Sequence, residues 1–232
     1  MRRAVFVGDV HGCIAELSEL LDRVAVVEGD AVCFVGDLVA RGPDSKAVVA
    51  CARSLGARAA LGNHDARVVE AWRAAQRGEP EARLGADHAR VLRDLDDSEL
   101  AWLAALPHWV DVPEHTARVV HGGVLPGVPI EQQPPALLLK LRSIAADGQA
   151  LTDDSGTLWG ALYAGPPHVV FGHHARARLQ LHAWATGLDT GCVYGGELTA
   201  LVLPDGSEVP PLDSRRDALV SVRARRQYYA PS

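Results

Sequence analysis

Three times in its first third the chain repeats one unit: a short apolar run, a glycine, and a polar residue able to bind a cation. The runs are Ala4-Val-Phe-Val-Gly-Asp9, Val32-Cys-Phe-Val-Gly-Asp37 and Arg58-Ala-Ala-Leu-Gly-Asn63, and nearly equal intervals separate their ends. Residues at helical spacing follow each run: Leu17, Leu20, Leu21 and Val24, then Val48, Val49 and Ala52, then Val68, Val69 and Trp72. Each interval is close to the length of one strand–helix–strand unit, so successive units of that kind are predicted. Parallel strands joined by right-handed crossovers deliver their carboxyl ends to one edge of a sheet. Asp9, Asp37 and Asn63 are therefore expected side by side, with the preceding glycines letting the backbone turn sharply.

From Ala66 to about Leu106 the spacing predicts helices, the last over Asp97–Leu106 and ended by Pro107. Strand signals then return. Arg118-Val-Val-His-Gly122 and His168-Val-Val-Phe-Gly172 break at glycine beside a histidine, and 179–184, 185–189 and 197–203 read as a sheet built from hairpins. The loop-rich segments 126–135 and 153–167 are expected around a cleft, and the tail beyond Pro204 is expected to be partly loose. No linker divides the chain. The expectation is one α/β domain over 1–232, holding two mixed β-sheets flanked by helices.

The formal net charge of −6 argues against a nucleic-acid groove, and so against DNA as a partner. It leaves a phosphorylated substrate open, because bound cations would dominate the local field. No apolar run approaches the roughly 20 residues of a membrane span. The run after Met1-Arg-Arg stops at Gly8-Asp9, too soon for a secretion signal. Cys13, Cys33, Cys51 and Cys192 are scattered, as reduced thiols would be, and the expected compartment is the cytoplasm.

Five clusters carry chemistry: Gly8-Asp-Val-His-Gly12, Gly36-Asp-Leu-Val-Ala-Arg-Gly-Pro43, Gly62-Asn-His-Asp65, His121-Gly-Gly123 and Gly172-His-His174. Any one of them is explained by a turn or a helix cap. Five strand ends all presenting oxygen or imidazole donors are not, since a structural core has no use for so many polar groups at one edge. Their order resembles the calcineurin-like metallophosphoesterases, and within them the branch that includes the serine/threonine phosphatases. The resemblance implies two divalent metal ions, with Asp9 and His11 on the first, Asp37 bridging, and Asn63, His121 and His173 on the second. Mixed carboxylate, amide and imidazole donors without thiolate suit manganese, with cobalt, iron and zinc as alternatives. The resemblance also makes His64 the proton donor to the leaving oxygen. Arg41 is expected to clamp phosphoryl oxygens with its two-donor fork, and Arg142 is a second candidate clamp whose alternative is a helix-surface arginine.

In the protein phosphatases an aspartate stands where this chain has Ala40, and it orients the proton-donor histidine. The form with alanine, together with Leu188-Asp-Thr-Gly-Cys-Val-Tyr-Gly-Gly-Glu-Leu-Thr199, resembles the bacterial symmetric diadenosine tetraphosphate hydrolases. That resemblance implies cleavage of dinucleoside polyphosphates, diadenosine tetraphosphate giving two ADP, and extends to nucleotide caps on RNA 5′ ends. Two departures bear on the pocket: a shorter stretch between His121 and His173, and His174 where those enzymes tend to have tryptophan. The rivals are a protein serine/threonine phosphatase and a non-catalytic nucleotide- or metal-binding scaffold. His88, His108, His115, His168 and His182 read as surface or core histidines, Asp65 and Asp189 as loop holders, and Trp159 and Tyr163 as packing, with stacking on adenine as the alternative.

Overall fold

The computed structural model describes residues 3–80, 83–176 and 179–230. In chain order the strands are β1 Ala4–Val7, β2 Ala31–Phe34, β3 Arg58–Ala59, β4 Trp109–Val112, β5 Ala117–Val120, β6 Ser143–Ile144, β7 Ala150–Leu151, β8 Thr157–Leu158, β9 His168–Phe171, β10 Gln180–Leu181, β11 Ala185–Gly187, β12 Glu197–Leu203 and β13 Leu219–Arg223. The longer helices are α1 Ile14–Val24, α2 Ser45–Ser54, α3 Asn63–Gln76, α4 Ala86–Asp94 and α5 Asp97–Ala104. The strands form two five-stranded sheets, β13-β12-β1-β2-β3 and β10-β11-β9-β5-β4, plus a small sheet β7-β6-β8.

Each large sheet contains three neighbouring parallel strands, at one side of the first sheet and in the centre of the second. In the first, β1, β2 and β3 are parallel and β12 and β13 antiparallel; in the second, β5, β9 and β11 are parallel with β4 and β10 antiparallel at the edges. Because side chains alternate along a strand, β1 feeds two cores. Ala4 and Phe6, with Cys33 and Val35, meet Val110, Val119 and Val170 of the second sheet. Val5 and Val7, with Val32 and Phe34, face Leu17, Leu20, Val48, Val49, Val68 and Val69 on the helices. Burial on both faces is why these strands read as unbroken apolar runs. A fully buried Phe6 contributes about 1.5–3 kcal/mol by transfer from water.

Two expectations need correction. Residues 197–203 do not extend the hairpin of β10 and β11. As β12 they pair antiparallel with β1, Ala4 opposite Leu203 and Val7 opposite Ala200, so the chain crosses back to the first sheet. Alternation marks a strand without naming its partner. Past Leu203, where a partly loose tail is expected, β13 pairs along β12, and the chain then returns to α1. There the backbone N–H of Arg225 and the hydroxyl of Tyr228 both donate to Glu16 Oε1 (2.9 and 2.8 Å).

Candidate active site

The carboxyl ends of five parallel strands converge. Asp9 follows β1, Asp37 follows β2, Asn63 opens α3 after β3, His121 follows β5 and His173 follows β9. His11 reaches the same point from the β1–α1 loop. Oxygen and nitrogen atoms of Asp9, Asp37 and His121 lie within 4.8 Å of one another. Asp37 Oδ2 is 3.4 Å from His11 Nε2 and 3.3 Å from His121 Nε2. Asn63 Oδ1 is 3.0 Å from His121 Nε2 and 2.8 Å from His173 Nδ1, and the backbone N–H of His173 donates to Asp9 Oδ2 at 3.0 Å. The structure thus brings together all six expected ligands.

The backbone is bent to do this. His11, Asp37, Ala40, Arg41 and His173 all have positive φ, between 49° and 70°. Such geometry costs roughly 1–2 kcal/mol per non-glycine residue and is held by the surrounding packing. A Cβ on Gly172 would overlap Asp9 Oδ1, and one on Gly62 would overlap the backbone nitrogen and Oδ1 of Asp37, so both glycines serve close approach.

The ring orientations suit cation binding. His11 Nδ1 and His121 Nδ1 each donate to a backbone carbonyl, of Val39 and Val35, at 3.1 Å. A ring N–H held by a carbonyl is the usual second contact of a metal-binding histidine, and it leaves Nε2 of both rings facing Asp37. Asp9, Asp37, Asp65 and Asp189 are four carboxylates gathered in one interior, none hydrogen-bonded to an arginine or lysine among the described residues. Burial, with Asp189 and Asp37 nearby, drives the Asp9 carboxyl well above the usual range. Burial raises Asp65 to about 7 and Asp189 to about 6, and Asp37 adds to both. Burial opposes a charged His121, yet Asp37, Asp9 and Asp65 outweigh it and push it up to about 10. Burial takes His11 down to about 4. An interior this negative calls for cations.

Arg41 stands at the mouth, its guanidinium 5.4 Å from the ring centre of Tyr194 and 5.5 Å from that of Tyr229, with Nη1 3.2 Å from His11 Nε2. Two cavities meet there. One, of about 490 Å³, is lined by Arg41, Asn63, His64, Arg67, Lys140 and Tyr229 among others; the second, of about 410 Å³, by Arg41, Gly42, Pro43, Arg90, Arg226, Gln227 and Tyr228. The segments 126–135 and 153–167, expected around the cleft, line neither. Val128, Pro129, Ile130, Gln133, Tyr163 and Pro166 instead surround a separate cavity over the second sheet. Trp159 and Tyr163 pack as expected, Trp159 Nε1 donating to Gly122 O and the Tyr163 hydroxyl to Pro167 O. Arg142 has a buried Nε with no hydrogen-bond partner among the described residues, close enough to His173 for its charge to help lower that ring.

Sequence reasoning missed several residues. His88, read as a surface or core histidine, is buried with Nε2 2.9 Å from His64 Nδ1, and its Nδ1 lies 3.0 Å from Asp87 Oδ1. Tyr194 and Tyr229 flank Arg41 although both come from the last fifth of the chain. Asp65 and Asp189 do hold loops, accepting from Val39 and Gly62, and from Gly191. Both also belong to the buried acidic group.

The sequence model described as calcineurin-like phosphoesterase matches residues 2–205. A Shewanella baltica protein named bis(5'-nucleosyl)-tetraphosphatase, symmetrical, is 41% identical over 125 residues, covering 52% of this chain and 44% of that protein. The chain thus spans less than half of that relative. A Pectobacterium atrosepticum protein of the same name is 34% identical over 213 residues, covering 89% of this chain and 72% of its own. A solved structure to which diadenosine tetraphosphatase activity is ascribed has a TM-score of 0.80 at 34% identity, covering 96% of this chain and 94% of that one.

Proposed function

The chain belongs to the calcineurin-like phosphoesterase family, and from that premise we propose that it hydrolyses a phosphoanhydride of dinucleoside polyphosphates, taking diadenosine tetraphosphate to two ADP. The observation that carries this reading is Arg41, standing beside the buried acidic and histidine cluster between one cavity that carries Arg67 and Lys140 along with Glu70 and Asp87, and a second that carries Arg90 and Arg226. A polyphosphate chain laid across Arg41 would meet Lys140 and Arg67 on one side and Arg90 and Arg226 on the other. A lone phosphomonoester would use one side only. Caps on RNA 5′ ends present the same anhydride and form a second substrate class.

The family implies divalent metal ions, and the donors fit them: the Nε2 atoms of His11 and His121 facing Asp37, an amide oxygen, and carboxylates with no arginine or lysine hydrogen-bonded to them among the described residues. Asp9 and His11 would hold one ion, Asp37 both, and Asn63, His121 and His173 the other, manganese being the best match to such donors. Two bound cations would supply Lewis acidity at phosphorus. Arg41 would hold phosphoryl oxygens through its planar fork, its charge steadied by two tyrosine faces. Arg142 has an Nε–H to offer, and His64 lines the cavity where a leaving oxygen would depart. We place this reaction in the cytoplasm, in one domain spanning 1–232. Four free thiols agree with that compartment, and no helix among the described residues is long and apolar enough to cross a membrane.

Chromatography of the products decides it. Manganese-loaded protein should give two ADP from diadenosine tetraphosphate and turn over a phosphoserine peptide far more slowly. Release of phosphate from the peptide with the dinucleotide untouched would assign the chain to protein dephosphorylation instead.

A further inference from the structure

A histidine that protonates a leaving oxygen needs one ring nitrogen held by a partner, so that the other faces the cleft in a known tautomer. The neighbouring loop offers nothing for this, since Ala40 is fully buried and presents only a methyl group. The partner comes from α4 instead. His64 Nδ1 lies 2.9 Å from His88 Nε2, and His88 Nδ1 lies 3.0 Å from Asp87 Oδ1. The two rings are 11° from coplanar with centres 5.0 Å apart. With nitrogens at 2.9 Å, that separation means the rings meet edge to edge, so an N–H of one points along the in-plane lone pair of the other. We propose that His88, backed by Asp87, is the positioning residue for His64 and takes the place of the carboxylate missing at residue 40. The proposal rests on reading the cleft as a phosphoryl-transfer site.

The proton positions follow from the contacts. An ionised Asp87 only accepts, so His88 Nδ1 carries a proton. With both rings neutral, His88 Nε2 accepts from His64 Nδ1–H, and His64 Nε2 is a bare lone pair in the cleft. As proton donor, His64 would present Nε2–H to the cleft while His88 holds Nδ1, with Asp87 as the counter-charge. As water adds to phosphorus and the bond to the leaving oxygen breaks, that oxygen takes the Nε2 proton. The proton released by the water restores the balance. A neutral imidazole on His64, with the carboxylate one residue further back, is a softer partner than a carboxylate directly on His64. Anhydride leaving groups need little protonation, because a phosphate's second ionisation lies near about pH 6; an alkoxide needs a great deal.

His64, Asp87 and His88 could also be taken as metal ligands. Two nitrogens at about 2.0–2.1 Å on a tetrahedral zinc stand roughly 3.3 Å apart. The 2.9 Å contact is a hydrogen bond.

The test compares His88→Ala and His88→Gln on an alkyl phosphate and on nitrophenyl phosphate, whose leaving group needs no proton. His88→Ala should lower kcat on the alkyl ester by on the order of 10-fold, with KM and nitrophenyl turnover nearly unchanged. His88→Gln, whose amide oxygen can accept from His64 Nδ1–H, should recover part of the loss. In a His64→Ala background, His88→Ala should cost nothing further. In magnesium-loaded protein without substrate, nitrogen NMR should show His64 as the Nδ1–H tautomer, becoming mixed in His88→Ala. Equal losses on both leaving groups, an unchanged tautomer, or loss of a metal ion in His88→Ala would each overturn the proposal. The tautomer and leaving-group readings do not depend on the dinucleotide, so they separate this proposal's failure from that of the substrate assignment.

Discussion

Arg41 shows how much one side chain here depends on its setting. Its backbone is left-handed at φ 66° and its guanidinium lies between two tyrosine rings, so its fork is aimed before any anion arrives. A clamp that tightens as charge develops acts on kcat as well as KM. Arg41→Ala should therefore cost on the order of 10²-fold in kcat/KM, about 2.7 kcal/mol, measured by steady-state kinetics with diadenosine tetraphosphate. A near-normal kcat would put Arg41 outside the reaction. His168, far from the cleft, makes a prediction about acid. Burial, helped by the charge of Arg215, lowers its imidazole to about 3, and its Nε2 accepts from Thr186 Oγ1 at 2.9 Å. The unfolded chain binds this proton near about pH 6.5 and the folded chain does not. The stability is thus present above that pH and drains away as pH falls toward 3, at about 1.4 kcal/mol per unit. His168→Gln keeps an acceptor without the titration. Urea unfolding at pH 7.5 and pH 5 should show the variant losing about 2 kcal/mol less than the parent, and equal losses would remove His168 from the acid response.

At the scale of elements, the strand ends explain why the site is where it is. β1, β2, β5 and β9 are short, mostly apolar and terminated at the same edge, so each following loop begins with its polar residue already in the cleft. α3 starts at Asn63, and the first-turn N–H of His64 donates to Asp37 Oδ1 at 2.9 Å, placing a helix N-terminus against the central carboxylate. α5 is closed by a capping box, Asp96 accepting from Glu99 N–H and Glu99 from Asp96 N–H. α1 is less well finished. It ends in left-handed Ala25 (φ 51°, ψ 58°), exposed and away from the cleft. Glycine enters that conformation without the Cβ clash, so Ala25→Gly should raise stability by about 1 kcal/mol. A melting temperature that falls instead would mean that the unfolded-chain entropy of glycine outweighs the relief.

For the molecule as a whole, the negative interior couples metal loading to folding. Asp9 and Asp189 come from opposite sheets' loops, and a shared counter-charge would relieve their crowding with Asp37 and Asp65, which otherwise raises the carboxyls of Asp9, Asp65 and Asp189. Ions that bind the folded chain alone stabilise it by mass action, about 2.7 kcal/mol per site at a hundred times Kd. Chelation should lower the melting temperature by several degrees, and manganese should restore it; an unchanged temperature would argue against cations in this cluster. The near-even spacing of Asp9, Asp37 and Asn63, the strand ends and the polar residues that follow them were all legible in the sequence, because each is a local pattern: an apolar run, a glycine, a polar side chain. The parallel crossover then left few ways to arrange the first three. What only the tertiary structure decided is which distant residues close the gaps. β12 joins β1 instead of extending a hairpin, the chain beyond Pro204 comes back to Glu16 and Arg41, and a histidine on α4 takes up the nitrogen that Ala40 leaves bare. Such contacts depend on helix direction and loop path through space. A single exposed-looking Asp87-His88 pair carries no period that could announce them.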